Sequence, residues 1–223
     1  MKLKIDFHTH SRYSKDGFSK PEEMILRAKS VGLDGIAITD HNTVLAHKEI
    51  MALGKKHNIL VIPGVEVKAK EGDILAYNVS KSFPKKIPAK KLVELMHKEG
   101  ALVAAAHPYS LVLHPLCIRG LTEKLDLDAV EIFNSRTYYS NKKAKIAAKR
   151  RNLPAIAGSD AHMPEEVGNA YTIVDAKAKT VKAVLDAVQK GRTEVHGKKL
   201  PVWKAVQWYL KRVIRLLKTS KNP

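Results

Sequence analysis

Residues 6–10 read Asp6-Phe7-His8-Thr9-His10 and close a short apolar run that begins at Leu3. The run has the composition of a buried strand. In extended backbone, residues two apart point to the same side, so His8 and His10 project two imidazoles in parallel while Thr9 faces away. Two neutral imidazoles side by side suit a divalent ion such as Zn, Mn or Fe. An isolated His-x-His also occurs as an exposed pair with no ion. Its meaning here depends on what the rest of the chain brings to it.

Strand and helix signals alternate outward from that stretch. Ser19-Lys20-Pro21-Glu22 has capping-box spacing and precedes Met24, Ile25, Ala28 and Val31 at helical period, with Gly32 as the stop. Gly35 to Thr39 reads as the next buried strand, Thr43 to His57 as a helix, and Ile59 to Val67 as a strand interrupted at Pro63-Gly64. Further strands are expected at Asp73 to Val79, Ala101 to Ala106, Ala129 to Phe133, Pro154 to Ala157 and Tyr171 to Val174. Helices are expected at Pro88 to Glu99, Asn141 to Arg151 and Thr180 to Lys190, the last capped by Thr180 and ended by Gly191. This alternation implies parallel pairing through crossover helices, and about eight strands favour a barrel over an open sheet. In such barrels chemistry sits at the C-terminal ends of the strands.

That rule can be applied strand by strand. His8 and His10 follow the first strand, and Asp40 and His41 the second. The third ends in Gly64-Val65-Glu66. The fifth is followed by His107-Pro108, the sixth holds Glu131 and Asn134, and the seventh runs into Gly158-Ser159-Asp160-Ala161-His162. Asp160 and His162 repeat the two-apart spacing of His8 and His10. Ligand-type residues after six strands point to a multi-metal site. His47, His57, His97, His114 and His196 fall in helices or loops away from these ends and read as solvated or incidental. Cys117 reads as a small buried hydrophobe, with no His or Asp partner beside it.

The chain has 223 residues, 44% of them hydrophobic, which is ordinary for one soluble globular domain with a full core. No run approaches a bilayer span. The N-terminal apolar run is too short for a secretory leader and holds Asp6. A single cysteine leaves no intramolecular disulfide framework. The compartment expected from these features is the cytoplasm. The formal net charge is +18. A surplus of that size implies an anionic partner: a phosphorylated substrate, a nucleotide or nucleic acid.

Taken together, DFHTHSRYSKDG at 6–17, ITDHN at 38–42, GVE at 64–66, AHP at 106–108, EIFN at 131–134 and GSDAH at 158–162 resemble the PHP (polymerase and histidinol phosphatase) family. The likeness covers nearly the whole chain, to about residue 190. It implies a distorted (β/α)7 barrel (TIM-like) over residues 1–197, with two to three divalent metal ions (Zn, Mn or Fe) that hydrolyse phosphate esters. By the same resemblance His8, His10, Glu66 and Asp160 would hold one metal, Glu66 and His107 would contribute to a second, and Asp16, His41 and His162 to a third. One position departs. Family members often carry Gly-His-Ile-Leu where this chain reads Gly72-Asp73-Ile74-Leu75. Either Asp73 ligates through oxygen, which favours Mn or Fe over Zn, or the second metal binds weakly.

The function implied is that of a metal-dependent phosphoesterase acting on a phosphate mono- or diester of a nucleotide, an oligonucleotide or a small phosphorylated metabolite. Metal-activated hydroxide would be the nucleophile. Asp40, adjacent to His41 and facing the other way, reads as a group that orients a ligand histidine or as the acid to the leaving group. Arg119 and Arg136 follow strands and are candidates to fork onto phosphate oxygens, with a surface role as the alternative for each; Lys15 is a weaker candidate. The competing class is a non-catalytic nucleic-acid-binding barrel subunit, which predicts eroded ligands. Eight of the nine positions carry the usual residue type, which argues against erosion.

Residues 198–223 hold eight Lys or Arg and no acid. They read as a basic amphipathic C-terminal helix packed on the barrel by a stripe of Val202, Val206, Tyr209, Val213 and Leu216. Trp203 and Trp208 beside lysines also suit an anionic lipid surface or a nucleic-acid backbone.

Overall fold

The computed structural model describes residues 1–110 and 117–219, so His114 lies outside the described residues. The strands in chain order are β1 (Lys2–Asp6), β2 (Gly35–Ile38), β3 (Leu60–Lys68), β4 (Asp73–Tyr77), β5 (Leu102–Ala105), β6 (Ala129–Asn134), β7 (Ala155–Gly158), β8 (Ala170–Asp175) and β9 (Thr193–Gly197). The helices are α1 (Pro21–Ser30), α2 (His47–His57), α3 (Ala89–Lys98), α4 (Asn141–Arg150), α5 (Val181–Gln189) and α6 (Val202–Thr219).

The sheet runs β7-β6-β5-β4-β3-β2-β1-β8-β9. β1 is shared by both halves: it pairs in parallel with β2 and antiparallel with β8. Past Asp6 the chain stays extended and turns to the other end of the sheet. Phe7 N donates to Ala157 O at 3.3 Å, Asp160 N to His8 O at 2.8 Å and His10 N to Ala161 O at 2.8 Å. These bonds join the first and seventh strands, so β1 to β7 form a nearly closed barrel and β8–β9 a flap beside the seam. The expected distorted (β/α)7 architecture is the one observed.

Pairing is less uniform than alternation implied. β4 runs antiparallel to both β3 and β5. Only four residues separate Lys68 from Asp73, too few for a crossover helix, so the chain turns straight back. The reversal brings Asp73, at the start of β4, to the same mouth as the ends of its neighbours. β3 is continuous through Pro63-Gly64, where it changes partner: Leu60 to Pro63 pair with β2, and Gly64 to Lys68 with β4. β9, which the sequence reading did not include, pairs antiparallel with β8. α2 starts at His47, later than Thr43. The cap of α1 also shifts by one residue. Lys20 N donates to Glu23 Oε2 at 2.8 Å, so Lys20 takes the position read for Ser19. Thr180 caps α5 as expected, its side chain accepting from Ala183 N.

Helical periodicity sets what each outer helix buries. Met24, Ile25 and Ala28 of α1 and Ile50 of α2 pack on Ile36 and Ile38 of β2. Leu92, Val93 and Met96 of α3 cover Ile74, Ala76 and Val103. Each such aliphatic side chain contributes about 1.5–3 kcal/mol by leaving water. This shell fixes the strand ends that carry the polar groups described next. None of the helices among the described residues is long and apolar enough to cross a membrane.

Candidate metal centre

The extended segment after β1 puts His8 and His10 on one side of the ladder, ring centroids 5.0 Å apart, while Thr9 turns away to donate to Ala37 O at 2.6 Å. Both imidazoles are fully buried. Their Nε2 atoms lie 3.0 Å apart. Glu66, from β3, places Oε2 at 3.3 Å from each of them. Asp160, past β7, brings Oδ1 to 3.2 Å from His10 Nε2 and 3.7 Å from His8 Nε2. His107, past β5, reaches the other Glu66 oxygen, Nε2 to Oε1 at 2.9 Å. On the opposite flank Asp16 lies 3.5 Å from His41 Nε2 and 3.6 Å from His162 Nε2, and His41 Nδ1 is 2.9 Å from Glu66 Oε2. Eight of the nine residues read as metal ligands are thus linked by direct contacts. Asp73 is buried near them and feels the charge of Glu66 and His107.

Partners behind the imidazoles decide which nitrogen faces the centre. His8 Nδ1–H donates to Glu131 Oε1 at 3.0 Å, and His162 Nδ1–H to the Asp160 carbonyl at 2.8 Å. Ser14 Oγ accepts from His10 Nδ1–H at 3.2 Å and from His41 N–H at 2.8 Å, and donates to Asp40 Oδ1 at 3.0 Å. One hydroxyl has a single donor and two acceptor sites, so this network uses it completely. Each assignment turns an Nε2 lone pair inward, as an orienting hydrogen bond behind a ligand histidine does.

Asp40 is buried and accepts from Ser11 N, Ser11 Oγ and Ser14 Oγ at 2.7, 2.7 and 3.0 Å. Through Ser14 it is linked to His10 and to the His41 backbone. Glu131 likewise stands behind the centre; its other oxygen accepts from His107 N at 2.7 Å and Asn134 Nδ2 at 3.1 Å. Asp6, which the sequence reading used only as part of the motif, is buried and accepts from Ser159 N at 2.9 Å and Gly168 N at 3.0 Å, tying β1 to the loops after β7. His107 and Asp160 sit at φ 28° and 54°, the left-handed region that costs a non-glycine residue about 1–2 kcal/mol. Such strain gathers at functional sites. Gly158 makes room: a Cβ there would meet His8 and come within 2.8 Å of Glu131 Oε1.

The electrostatics follow from this crowding. Burial opposes charge on His8, but Glu131, Glu66 and Asp160 outweigh it and hold the imidazole well above the usual histidine range. His41 is raised likewise, burial being overcome by Glu66 and Asp16. His162 is pushed down to about 4 by burial and by the neighbouring charges of His10 and Arg136, which keeps it in the neutral form that can ligate. Asp73 is raised to about 6 by burial and then by the charge of Glu66.

Several other expectations need correction. Arg136 is buried rather than on the surface: its Nη1 bonds Glu166 Oε2 at 2.8 Å, its guanidinium lies 4.4 Å from the Trp208 ring centroid, and its Nη2 has no hydrogen-bond partner among the described residues. Arg119 is exposed at the start of a 3-10 turn (Arg119–Glu123), its backbone N donating to Pro108 O at 2.8 Å. His47, His57 and His97 are bonded rather than incidental, to Gly64 O, Glu22 and Asp128. α6 is turned over. Val202, Val206 and Tyr209 of the expected packing stripe are exposed, and Leu216 lies outside the described side chains. The face that meets the barrel is Ala205 and Trp208. Trp208 Nε1 donates to Asp16 O at 3.1 Å, and its ring lies edge-on to His162 with centroids 5.1 Å apart.

The fit of this set to divalent cations rests on one buried atom. Glu66 Oε2 takes part in no hydrogen bond, although three imidazole nitrogens lie within 3.3 Å of it. Three nitrogens thus converge on this oxygen at short distance without hydrogen-bond geometry, the arrangement of donor atoms that face a shared point. Mixed histidine and carboxylate donors at that spacing suit Zn, Mn or Fe.

Comparison with known proteins agrees with this geometry. The model of the PHP-associated family matches residues 139–193. An uncharacterized protein of Methanocaldococcus jannaschii is 33% identical over 146 residues, which cover 60% of this chain and 82% of that one. A 5′-3′ exoribonuclease of Haemophilus influenzae is 36% identical over 89 residues, 38% of this chain and 32% of the enzyme. Among solved structures, a two-domain protein from Bacteroides vulgatus containing a predicted PHP-like metal-dependent phosphoesterase superposes with a TM-score of 0.75 at 24% identity. That match covers 89% of this chain and 65% of the other. With this barrel, these strand-end residues and these relatives, the chain belongs to the PHP family.

Proposed function

We propose that this protein is a divalent-metal-dependent phosphoesterase that hydrolyses a phosphate mono- or diester, with a nucleotide or the end of an oligonucleotide as the preferred class over a small phosphorylated metabolite. The observation that carries the reading is Glu66, a fully buried carboxylate in contact with His8, His10, His41 and His107 at once. A single carboxylate among four imidazoles is what a cluster of adjacent cations requires. His8, His10, Glu66 and Asp160 would hold one ion, Glu66, His107 and Asp73 a second, and Asp16, His41 and His162 a third. Bound there, divalent ions supply Lewis acidity toward the phosphoryl oxygens and a hydroxide nucleophile near neutral pH.

The chain's own residues prepare that chemistry. Glu131 and Ser14 fix the His8 and His10 rings, Asp40 fixes Ser14, and Asn134 links Glu131 to Asp160 through Nδ2 at 3.1 and 3.3 Å. Trp208 covers the Asp16–His162 side. The preference for nucleotides rests on charge and on a neighbouring cavity of about 190 Å³ lined by Tyr109, Tyr138, Tyr139, Arg136 and Lys143. Tyrosine faces stack on bases, and such stacking contributes about 1–3 kcal/mol per base. The relative that carries the name 5′-3′ exoribonuclease supports the same class.

The test is phosphate release by chelator-stripped and Mn-reloaded protein across sugar phosphates, nucleoside 3′,5′-bisphosphates and short 5′-phosphorylated RNA and DNA. A His10→Ala variant runs beside it to detect contaminating phosphatase. Metal-dependent turnover, highest on the nucleotides and lost in the variant, is the expected result. No turnover on any substrate, with oligonucleotide binding intact in both proteins, would replace the enzyme with a nucleic-acid-binding barrel.

A further inference from the structure

α6 carries its apolar residues on the side away from the barrel. Trp203, Val206, Leu210, Ile214 and Leu217 recur at gaps of three or four and are 51–60% exposed. Among the described residues, seven of the fourteen exposed large hydrophobics belong to this helix, so the feature is one continuous stripe rather than scatter. The inward side uses polar chemistry instead. Trp208 Nε1 donates to Asp16 O at 3.1 Å, Arg215 Nη1 to Gly17 O at 2.8 Å, and Lys211 Nζ meets Met163 Sδ at 3.2 Å. The helix is thereby held on the barrel by its basic side, and its hydrophobic side is presented outward along about 27 Å of axis.

Charge decides what that stripe fits. Two copies of the helix laid stripe to stripe would need opposite charges along their flanks. Residues 198–223 supply eight Lys or Arg and no acid, on a chain whose net charge is already +18. Self-pairing would set like charges against each other. An anionic lipid surface satisfies both properties at once: it takes the apolar stripe into the acyl boundary and attracts the cations at headgroup level. Trp203 and Tyr209, exposed at 60% and 59%, are the residue types that settle at that boundary.

We propose that α6 lies in the plane of an anionic lipid surface, with Trp203, Val206, Leu210, Ile214 and Leu217 facing the acyl chains and Lys204, which lies over the Trp203 ring, among the headgroups. The protein sits on the membrane without crossing it. This inference stands independently of the phosphoesterase reading.

The experiment is co-sedimentation of the full chain with vesicles of phosphatidylcholine alone and of equal parts phosphatidylcholine and phosphatidylglycerol. Leu210→Glu/Ile214→Glu is the main variant, and Trp203→Gln a milder second one. All three substituted residues are on the outward stripe, and unchanged circular dichroism and melting temperature show that the fold is kept. The expected result is association with the phosphatidylglycerol vesicles, weakened by added salt and reduced at least about tenfold in the double variant. Trp203→Gln is expected to fall between. Failure of the native chain to associate with anionic vesicles, or equal association by the folded variants, would overturn the proposal. A concentration-dependent dimer that the double variant dissolves, without vesicle binding, would overturn it in favour of a second copy.

Discussion

Asp40 separates an orienting role from a catalytic one, and Asp40→Asn tests which it plays. The carboxylate accepts three hydrogen bonds, two from Ser11 and one from Ser14. Asparagine keeps the shape but removes the charge. A hydrogen bond to a charged group is worth about 1.5–3 kcal/mol, and a neutral one about half that. Three bonds weakened in this way cost about 2–4 kcal/mol of folding stability. Only the bond through Ser14 reaches the centre, because Ser14 Oγ holds both His10 Nδ1 and His41 N. Its share, about 1–1.5 kcal/mol, corresponds to roughly a tenfold loss of metal affinity, the low end of what outer groups behind a ligand histidine contribute. The assay is competition for Mn or Zn against a chromogenic chelator, followed by turnover at saturating metal. Affinity is expected to fall about tenfold while turnover at saturation largely recovers. Unchanged affinity with turnover lowered about a thousandfold or more would make Asp40 the acid to the leaving group, and the reasoning would be wrong.

Further outcomes follow from the same contacts. Gly158→Ala pushes a methyl against His8 and Glu131, so it is expected to cost about 1–3 kcal/mol in a melt and to lower metal content as His8 is displaced. Arg136→Ala leaves Glu166 buried without its partner, for a loss of about 3–5 kcal/mol and a drop of about 6–20 °C in melting temperature. A raised KM with the melt unchanged would return Arg136 to the phosphate-binding role. In chelator-stripped protein His8 and His41 have folded-state pKa values raised above the unfolded value near 6.5. Their protonated forms therefore stabilise the fold fully below about pH 6.5, and that contribution is lost as pH rises through the raised values. Melts of stripped protein should thus decline from mildly acidic to alkaline pH. Metal affinity should move the opposite way, strengthening as pH rises, because each ion must displace those protons. A flat stripped-protein melt over that range would contradict the assignment.

The strand-end residues were legible in the sequence because their spacing is local. His8 and His10 need only extended backbone to point the same way, and that segment is extended in the ladder that closes the barrel, whereas Asp160 and His162 reach the same mouth with Asp160 at φ 54°. The reversal of β4 was within reach, since the four residues between Lys68 and Asp73 forbid a crossover. Alternation of strand and helix signals nevertheless favoured parallel pairing throughout. Arg136 was misread for a different reason. A charged residue two positions past a strand looks exposed, and its burial depends on Glu166, thirty residues later, and on Trp208, which no local pattern connects to it. The orientation of α6 was hidden by the usual inference that an apolar stripe faces the core. Periodicity defines the stripe but not its partner. Here backbone carbonyls at Asp16 and Gly17 and the His162 ring give the opposite face a better fit.

The most direct test of the account is to measure bound metal and phosphate release on the same samples, for the native chain and for Glu66→Gln, after stripping and graded reloading with Mn. Glu66 touches four imidazoles, so the account predicts that release rises in step with bound metal in the native chain. It also predicts that the variant loses metal and activity together. Release that persists in fully stripped protein, or a Glu66→Gln variant that keeps both its metal and its activity, would contradict it.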